Sequence, residues 1–183
     1  MLEGLRLVSE AADLAARRHS GMQRKGRCNE PYINHLAEVA NLLSIATEGA
    51  DAELVAAGWL HDTIEDTETT HRELAEKFGE RVAAFVVEVT DDMALPKDER
   101  RRRQVVEAPK KSPGAKLIKI ADKTSNLRSI VTSPPVDWDS RRQREYFEWA
   151  AKVVDGCRGT NRNLEALFDA AHRAGLQAIE KGR

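Results

Sequence analysis

The stretch GWLHDTIEDT, Gly58 to Thr67, ends an apolar run in a segment with four ionisable side chains: His61, Asp62, Glu65 and Asp66. Residues four apart on a helix share a face. A helix here would stack His61 on Glu65 and Asp62 on Asp66, in columns roughly 100° apart around the axis. Carboxylates held this close in a dry site repel one another when ionised, and a divalent cation is the simplest compensation. An exposed acidic helix end is the alternative, since neighbouring His and Asp residues arise by accident. Partners elsewhere in the chain decide between the two.

Outward from this stretch, helical periodicity dominates. Leu5, Val8, Ala12 and Ala15 form one stripe, and Leu36, Val39, Ala40 and Leu43 another. Asn34 is expected to cap the second helix, and Asp51 a third running without a break through DAELVAAGWLHDTIED. Thr70 to Glu73 (THRE) fits a capping box, and Gly79 a helix stop. Val82, Phe85, Val86 and Val89 mark another helix, although VAAFVVEV alone also fits a strand. Pro96 opens a charged helix, and SPG (Ser112 to Gly114) precedes AKLIKIADKTSNLRSI. TSPPVDW is a loop, followed by SRRQREYFEWAAKVV and a last helix from about Asn161. The expected fold is all-α, a compact helical bundle forming one domain over residues 1–183.

The chain has 183 residues, 32% of them charged and 41% hydrophobic, enough for a substantial core. A net charge of -1 offers no global attraction to nucleic acid or anionic membranes. Four consecutive arginines, Arg100 to Arg103, circle a helix instead of lining one face, and no aromatic platform accompanies them. Nucleic-acid binding is therefore not expected. The N-terminal segment reads as an amphipathic helix containing Glu10 and Asp13, not a signal peptide, and no stretch is long enough to span a bilayer. Cys28 and Cys157 read as free thiols in a reducing compartment, so a cytoplasmic protein is expected.

Partners for the His-Asp pair lie in two other segments. His35 stands in PYINHLAEV, and Asp122 directly follows LIKIA, where an aspartate is costly unless paired or metal-bound. Two imidazoles and two carboxylates form a mixed N/O set that suits Mn, Fe or Zn better than Ca or Mg. His19, His71 and His172 read as surface or helix-end residues.

His35, His61-Asp62 and Asp122, in that order, resemble the ligand set of HD-domain phosphohydrolases. GRCNEPYINHLAEVA, WLHDTIEDTETT, KFGERVAAFVVEVTDD, SPGAKLIKIADKTSNLR and EYFEWAAKVVDGCRGTN are similar to the small alarmone hydrolases. These form the stand-alone hydrolase branch of the RelA/SpoT homologues, and the likeness is greatest to the metazoan SpoT homologues. It runs from about Ala11 to about Ala171. The resemblance implies an HD-domain bundle and an enzyme that uses one Mn²⁺ ion to remove the 3′-pyrophosphate of guanosine tetra- and pentaphosphate. It makes His35, His61, Asp62 and Asp122 the metal ligands, and Glu65 and Asp66 the catalytic carboxylates that position and deprotonate water. It makes Arg24 a surface for guanine and Lys25 a phosphate contact, with Asn126 and Tyr146 as further substrate contacts. Lys97 and Arg142 are weaker candidates for the 5′-phosphates. Leu36 stands where many relatives carry proline, an alteration confined to the helix start. Thr124 and Ser125 replace a Leu-Tyr or Leu-His pair, which implies a smaller, more polar pocket wall. No synthetase activity and no obligate protein partner are expected.

Two rival readings remain, the first of them also implied by the resemblance. One is a related metal phosphohydrolase on another phosphorylated nucleotide, such as removal of the 2′-phosphate of NADPH. The other is a non-catalytic nucleotide sensor, which would have little use for Glu65 and Asp66.

Overall fold

The fold of the chain, a computed structural model, is described for residues 2–181; Met1, Gly182 and Arg183, the ends of the expected domain span, lie outside the described residues. Ten α-helices account for most of it: α1 (Leu2–Arg18), α2 (Ile33–Ala46), α3 (Ala52–Leu60), α4 (Thr63–Asp66), α5 (His71–Phe78), α6 (Glu80–Val89), α7 (Lys97–Glu107), α8 (Pro113–Thr132), α9 (Ser140–Asp155) and α10 (Arg162–Glu180). Among the described residues there is no strand, and VAAFVVEV is helical inside α6. Nor is any helix there long and apolar enough to cross a membrane.

Helix starts follow local chemistry. Asp51 accepts from the Leu54 N–H at 3.0 Å, Asp139 from Arg142 at 2.8 Å and Asn161 from Leu164 at 2.9 Å. Thr70 caps α5 through the Glu73 N–H, but the Glu73 carboxylate goes to Arg18 at 2.7 Å, so the expected box is half closed. Gly79, at φ +88°, lets α5 end and α6 begin at one residue. Asn34 is not the cap of α2. A turn through Pro31 starts that helix earlier, with Tyr32 at the N-cap and no side-chain cap bond.

The expected continuous third helix breaks at the motif itself. His61 Nδ1 turns back to the Gly58 carbonyl at 2.8 Å, and Thr63 Oγ1 donates to the Leu60 carbonyl at 2.6 Å. With those carbonyls engaged by side chains, α3 ends at Leu60, and Asp62 sits at φ -99°, ψ -1° before α4 resumes.

α8 is the central element, packed by α2, α3, α6, α9 and α10. It buries Ala115, Ile118, Ile120, Ala121 and Leu127. Large side chains from its neighbours, among them Leu36, Leu43, Phe147 and Phe168, close the core around it. Burying each such side chain contributes about 1.5–3 kcal/mol. α1 faces this core with Ala11, Leu14 and Ala15, while Leu5 is 67% exposed, so the expected stripe is rotated. α7 buries none of its residues, as its charged sequence implied. It borders the site below.

Candidate active site

Three helical elements deliver the metal-binding candidates to one point. His35 comes from the first turn of α2, His61 and Asp62 from the α3–α4 break, and Asp122 from the middle of α8. Ligand atoms of His35, His61 and Asp62 all lie within 4.8 Å of one another. Asp122 stands outside that group of three and joins it through His35, whose Nε2 is 3.5 Å from Asp122 Oδ1. The Asp122 carboxylate also accepts from Lys123 Nζ at 2.8 Å and from Asn126 Nδ2 at 2.5 Å.

These side chains fit a divalent cation. Both imidazoles are almost wholly buried. His61 Nδ1 faces a backbone carbonyl, which only accepts, so that nitrogen carries the hydrogen. Its Nε2 is buried without a hydrogen-bond partner and lies 3.1 Å from Asp62 Oδ2. Burial opposes charge on His61, but the nearby negative charge of Asp62, helped by that of Asp122, outweighs it and pushes the pKa up to about 9. The cavity thus favours positive charge at Nε2, from a proton or a metal. Burial likewise opposes ionised Asp62, yet His61 and His35 hold it well below the usual carboxylate range.

Glu65 lines this cavity together with His35, His61, Asp62, Lys119 and Asp122. Its Oε2 accepts from the Asp91 N–H at 3.1 Å. Burial raises the Glu65 pKa, and the neighbouring Asp62 adds to the effect. Asp66 does not overhang the cavity as the helix geometry suggested; it is exposed and lines neither this cleft nor the larger one beside it.

The larger cleft, about 420 Å³, shares Tyr32, Gln104 and Asn126 with the metal cavity, so the two are continuous. Arg24, Lys25, Lys97, Asn126 and Tyr146 all line it. Arg142 does not, but its guanidinium lies 5.0 Å from the ring centre of Trp138, which does. Burial lowers the Lys97 pKa, and the like charges of Arg101, Arg142 and Lys25 lower it further. Like charges crowded around Lys97 in this way leave a place for an anion.

The basic loop is pinned down. Gly26 approaches so close to Ser133 that an added Cβ would lie 2.3 Å from the Ser133 carbonyl oxygen. Arg24 Nη2 donates to Asn126 Oδ1 at 2.6 Å. Phe147 belongs to the core, whereas Tyr146 and Trp149 face the cleft.

Several cleft residues went unread in the sequence. Arg100 and Arg101, two of the four arginines, line the cleft with Lys97 and Gln104. Their spacing of three, four and seven on one helix is a signal that could have found them. Tyr32 donates to Asp62 Oδ2 at 2.7 Å, stacked against a buried His19 that sequence alone placed at a helix end. Thr124 and Ser125 do not wall the pocket as expected. Both are fully buried, and Ser125 Oγ lies 2.9 Å from His35 Nδ1.

The chain matches the family described as HD domain over residues 11–148. It is 52% identical over 156 residues to a human protein named guanosine-3′,5′-bis(diphosphate) 3′-pyrophosphohydrolase MESH1, covering 85% of this chain and 87% of that one. The mouse protein of that name is 51% identical over 91% of this chain and 94% of its own. A solved metazoan orthologue of SpoT, described as hydrolysing ppGpp and acting in starvation responses, superposes with a TM-score of 0.88. It shows 42% identity and covers 93% of this chain and 96% of that one.

Proposed function

The chain belongs to the HD-domain family, in the hydrolase branch of the RelA/SpoT homologues, and on that premise we propose that it removes the 3′-pyrophosphate of ppGpp and pppGpp in a Mn²⁺-dependent reaction. The observation that carries this reading is the continuity of a His-His-Asp centre with a cleft lined by Arg24, Lys25, Lys97, Arg100 and Arg101. A nucleotide bearing phosphates at both the 5′ and 3′ positions presents enough negative charge to meet cations all around such a cleft.

His35, His61, Asp62 and Asp122 would hold the ion. Bound there, it would supply Lewis acidity toward a phosphoryl oxygen and lower the pKa of a water. The rest falls to the chain. Glu65, steadied by the Asp91 N–H, takes the proton of the attacking water. The water oxygen bonds to phosphorus as the bond to the ribose 3′ oxygen breaks, and that oxygen leaves as a hydroxyl by taking up the proton that Glu65 accepted. GDP or GTP and pyrophosphate are the products. Asp66, which the family resemblance pairs with Glu65, adds negative charge from outside the cavity. Lys25, Lys97 and Arg101 bind phosphates, while Tyr146, Trp138 and Arg24 offer flat surfaces to the base.

The test is hydrolysis of guanosine tetraphosphate by metal-stripped protein, with and without Mn²⁺, beside NADPH. Pyrophosphate and GDP appearing only with Mn²⁺ is the expected result. Phosphate from NADPH alone would move the substrate elsewhere and leave the metal centre standing. Inactivity on both by folded, metal-loaded protein would rule out this chemistry.

A further inference from the structure

His35 has two ring nitrogens, and only one faces the metal cavity. Nε2 lies 3.5 Å from Asp62 Oδ2 and 3.5 Å from Asp122 Oδ1. Nδ1 lies 2.9 Å from the hydroxyl of Ser125 on α8. That hydroxyl donates to Glu38 Oε2 at 2.7 Å, and Glu38 Oε1 accepts from Arg128 Nη1 at 2.8 Å.

The hydrogens in this chain have one consistent direction. A serine has a single hydroxyl proton, and a carboxylate paired with arginine only accepts. The Ser125 proton therefore goes to Glu38, which leaves the serine oxygen as an acceptor toward His35. His35 Nδ1 must then carry the ring hydrogen, and Nε2 keeps its lone pair for the cavity. A mid-helix serine ordinarily bonds back to the carbonyl four residues earlier. Thr124 does so, to Ile120 at 2.7 Å, whereas Ser125 reaches across to α2. The relay thus also ties together the two helices that bring His35 and Asp122 to the centre.

We propose that Ser125, backed by Glu38 and Arg128, is a positioning residue that fixes the tautomer and orientation of His35 and thereby sets the affinity of the centre for a divalent cation. This role rests on His35 being a metal ligand, as proposed above. His61 achieves the same result with the Gly58 carbonyl, a backbone acceptor that no substitution removes. At His35 the acceptor is a side chain, so its contribution can be measured. Partners of this kind typically change metal affinity about 10- to 100-fold.

The experiment is calorimetric titration of the metal-stripped full chain with Mn²⁺, for the parent protein, Ser125→Ala, Glu38→Ala and the double variant. The parent protein is expected to bind one ion, and each single variant to bind it about 10- to 100-fold more weakly. Because the two groups act in series, the double variant should be no weaker than Ser125→Ala alone. A merely structural loss at two sites would add instead. Parent-like affinity in Ser125→Ala, or additive losses in the double variant, overturns the relay while the metal centre stands. Failure of the parent protein to bind any divalent ion overturns the centre, and the relay with it. Should Ser125→Ala not fold, Glu38→Ala carries the test, since the Glu38 side chain is 32% exposed; parent-like affinity there overturns the relay equally.

Discussion

Glu65 and Asp66 are neighbours of the same chemical type, and their surroundings separate them. Glu65 lines the cavity of His35, His61 and Asp62, while Asp66 is exposed. Glu65→Gln should therefore retain Mn²⁺ and lose about 10²- to 10⁴-fold in turnover, the usual range for a proton-transfer group. Calorimetric stoichiometry together with kcat checks both halves, and unchanged turnover would remove Glu65 from the chemistry. Lys97→Ala should instead raise KM with kcat little changed, because a cation at the cleft wall holds ground state and transition state alike. An unaltered KM would take Lys97 out of substrate binding. The His-Asp pair and Glu65 were legible in the sequence because they are close together and their residue types are costly without a partner. The Tyr32–Asp62 and Arg24–Asn126 hydrogen bonds were not, since they join residues 30 and 102 positions apart. Only the packing of α2, α3, α8 and the loop before α2 brings such pairs together.

Single helices show the same division between local and distant causes. Caps at Asp51 and Thr70, and the helix start near Asn161, were legible because each cap bond closes within three residues. The break between α3 and α4 was not, because helical periodicity continues through it and only the side chains of His61 and Thr63, bonded back to carbonyls, interrupt the ladder. Upstream of that break, Gly58 sets how close α2 and α3 can come. A Cβ there would lie 2.5 Å from Leu43 Cδ1 and 3.2 Å from Ala40 Cα. Gly58→Ala should cost about 1–3 kcal/mol by overpacking. It should also weaken Mn²⁺ binding, because the shift that the added Cβ forces would move the Gly58 carbonyl that orients His61. Urea unfolding and metal titration of one variant test both, and parent values in each would show that the crossing adjusts freely. At the other end of α3, Asp51 caps the helix and accepts from Arg81 Nη2 at 2.6 Å, joining α3 to α6. Asp51→Ala should cost about 1 kcal/mol through the cap. The bonds from Arg81 hold the Asp51 carboxyl below its ordinary value despite burial. A lowered pKa contributes stability that is complete above the unfolded value near 3.9 and is lost as pH falls through the folded value. The stability gap between parent and Asp51→Ala should therefore narrow on acidification; a gap independent of pH would show that the Arg81 pairing contributes nothing.

Across the whole molecule, the centre is a property of the packed bundle and of no single segment. His35 and His61 are 26 positions apart, and Asp122 lies a further 61 along the chain. An unfolded chain has no reason to hold these three side chains near one another, so a cation bound by all of them binds the native state and not the denatured one. Such a ligand stabilises the fold by RT ln(1 + [L]/Kd), about 2.7 kcal/mol at a hundredfold excess over Kd. For a domain of this size each kcal/mol raises Tm by roughly 2–4 °C, so saturating Mn²⁺ should raise it by roughly 5–10 °C. A cation bound there would also relieve the buried Asp122 and the half-buried Asp62, which otherwise depend on Lys123 and His61 for counter-charge. Asp62→Ala removes one of the proposed ligands, and its melting should be indifferent to Mn²⁺. Paired thermal scans of both proteins, stripped and loaded, decide the matter. An equal rise in the variant would place the ion away from His35, His61 and Asp62, and no rise in either would remove the metal centre from the account of this fold. A rise in the parent alone would show that one ion joins α2, the α3–α4 break and α8, so that the architecture that builds the site is in turn stabilised by what the site holds.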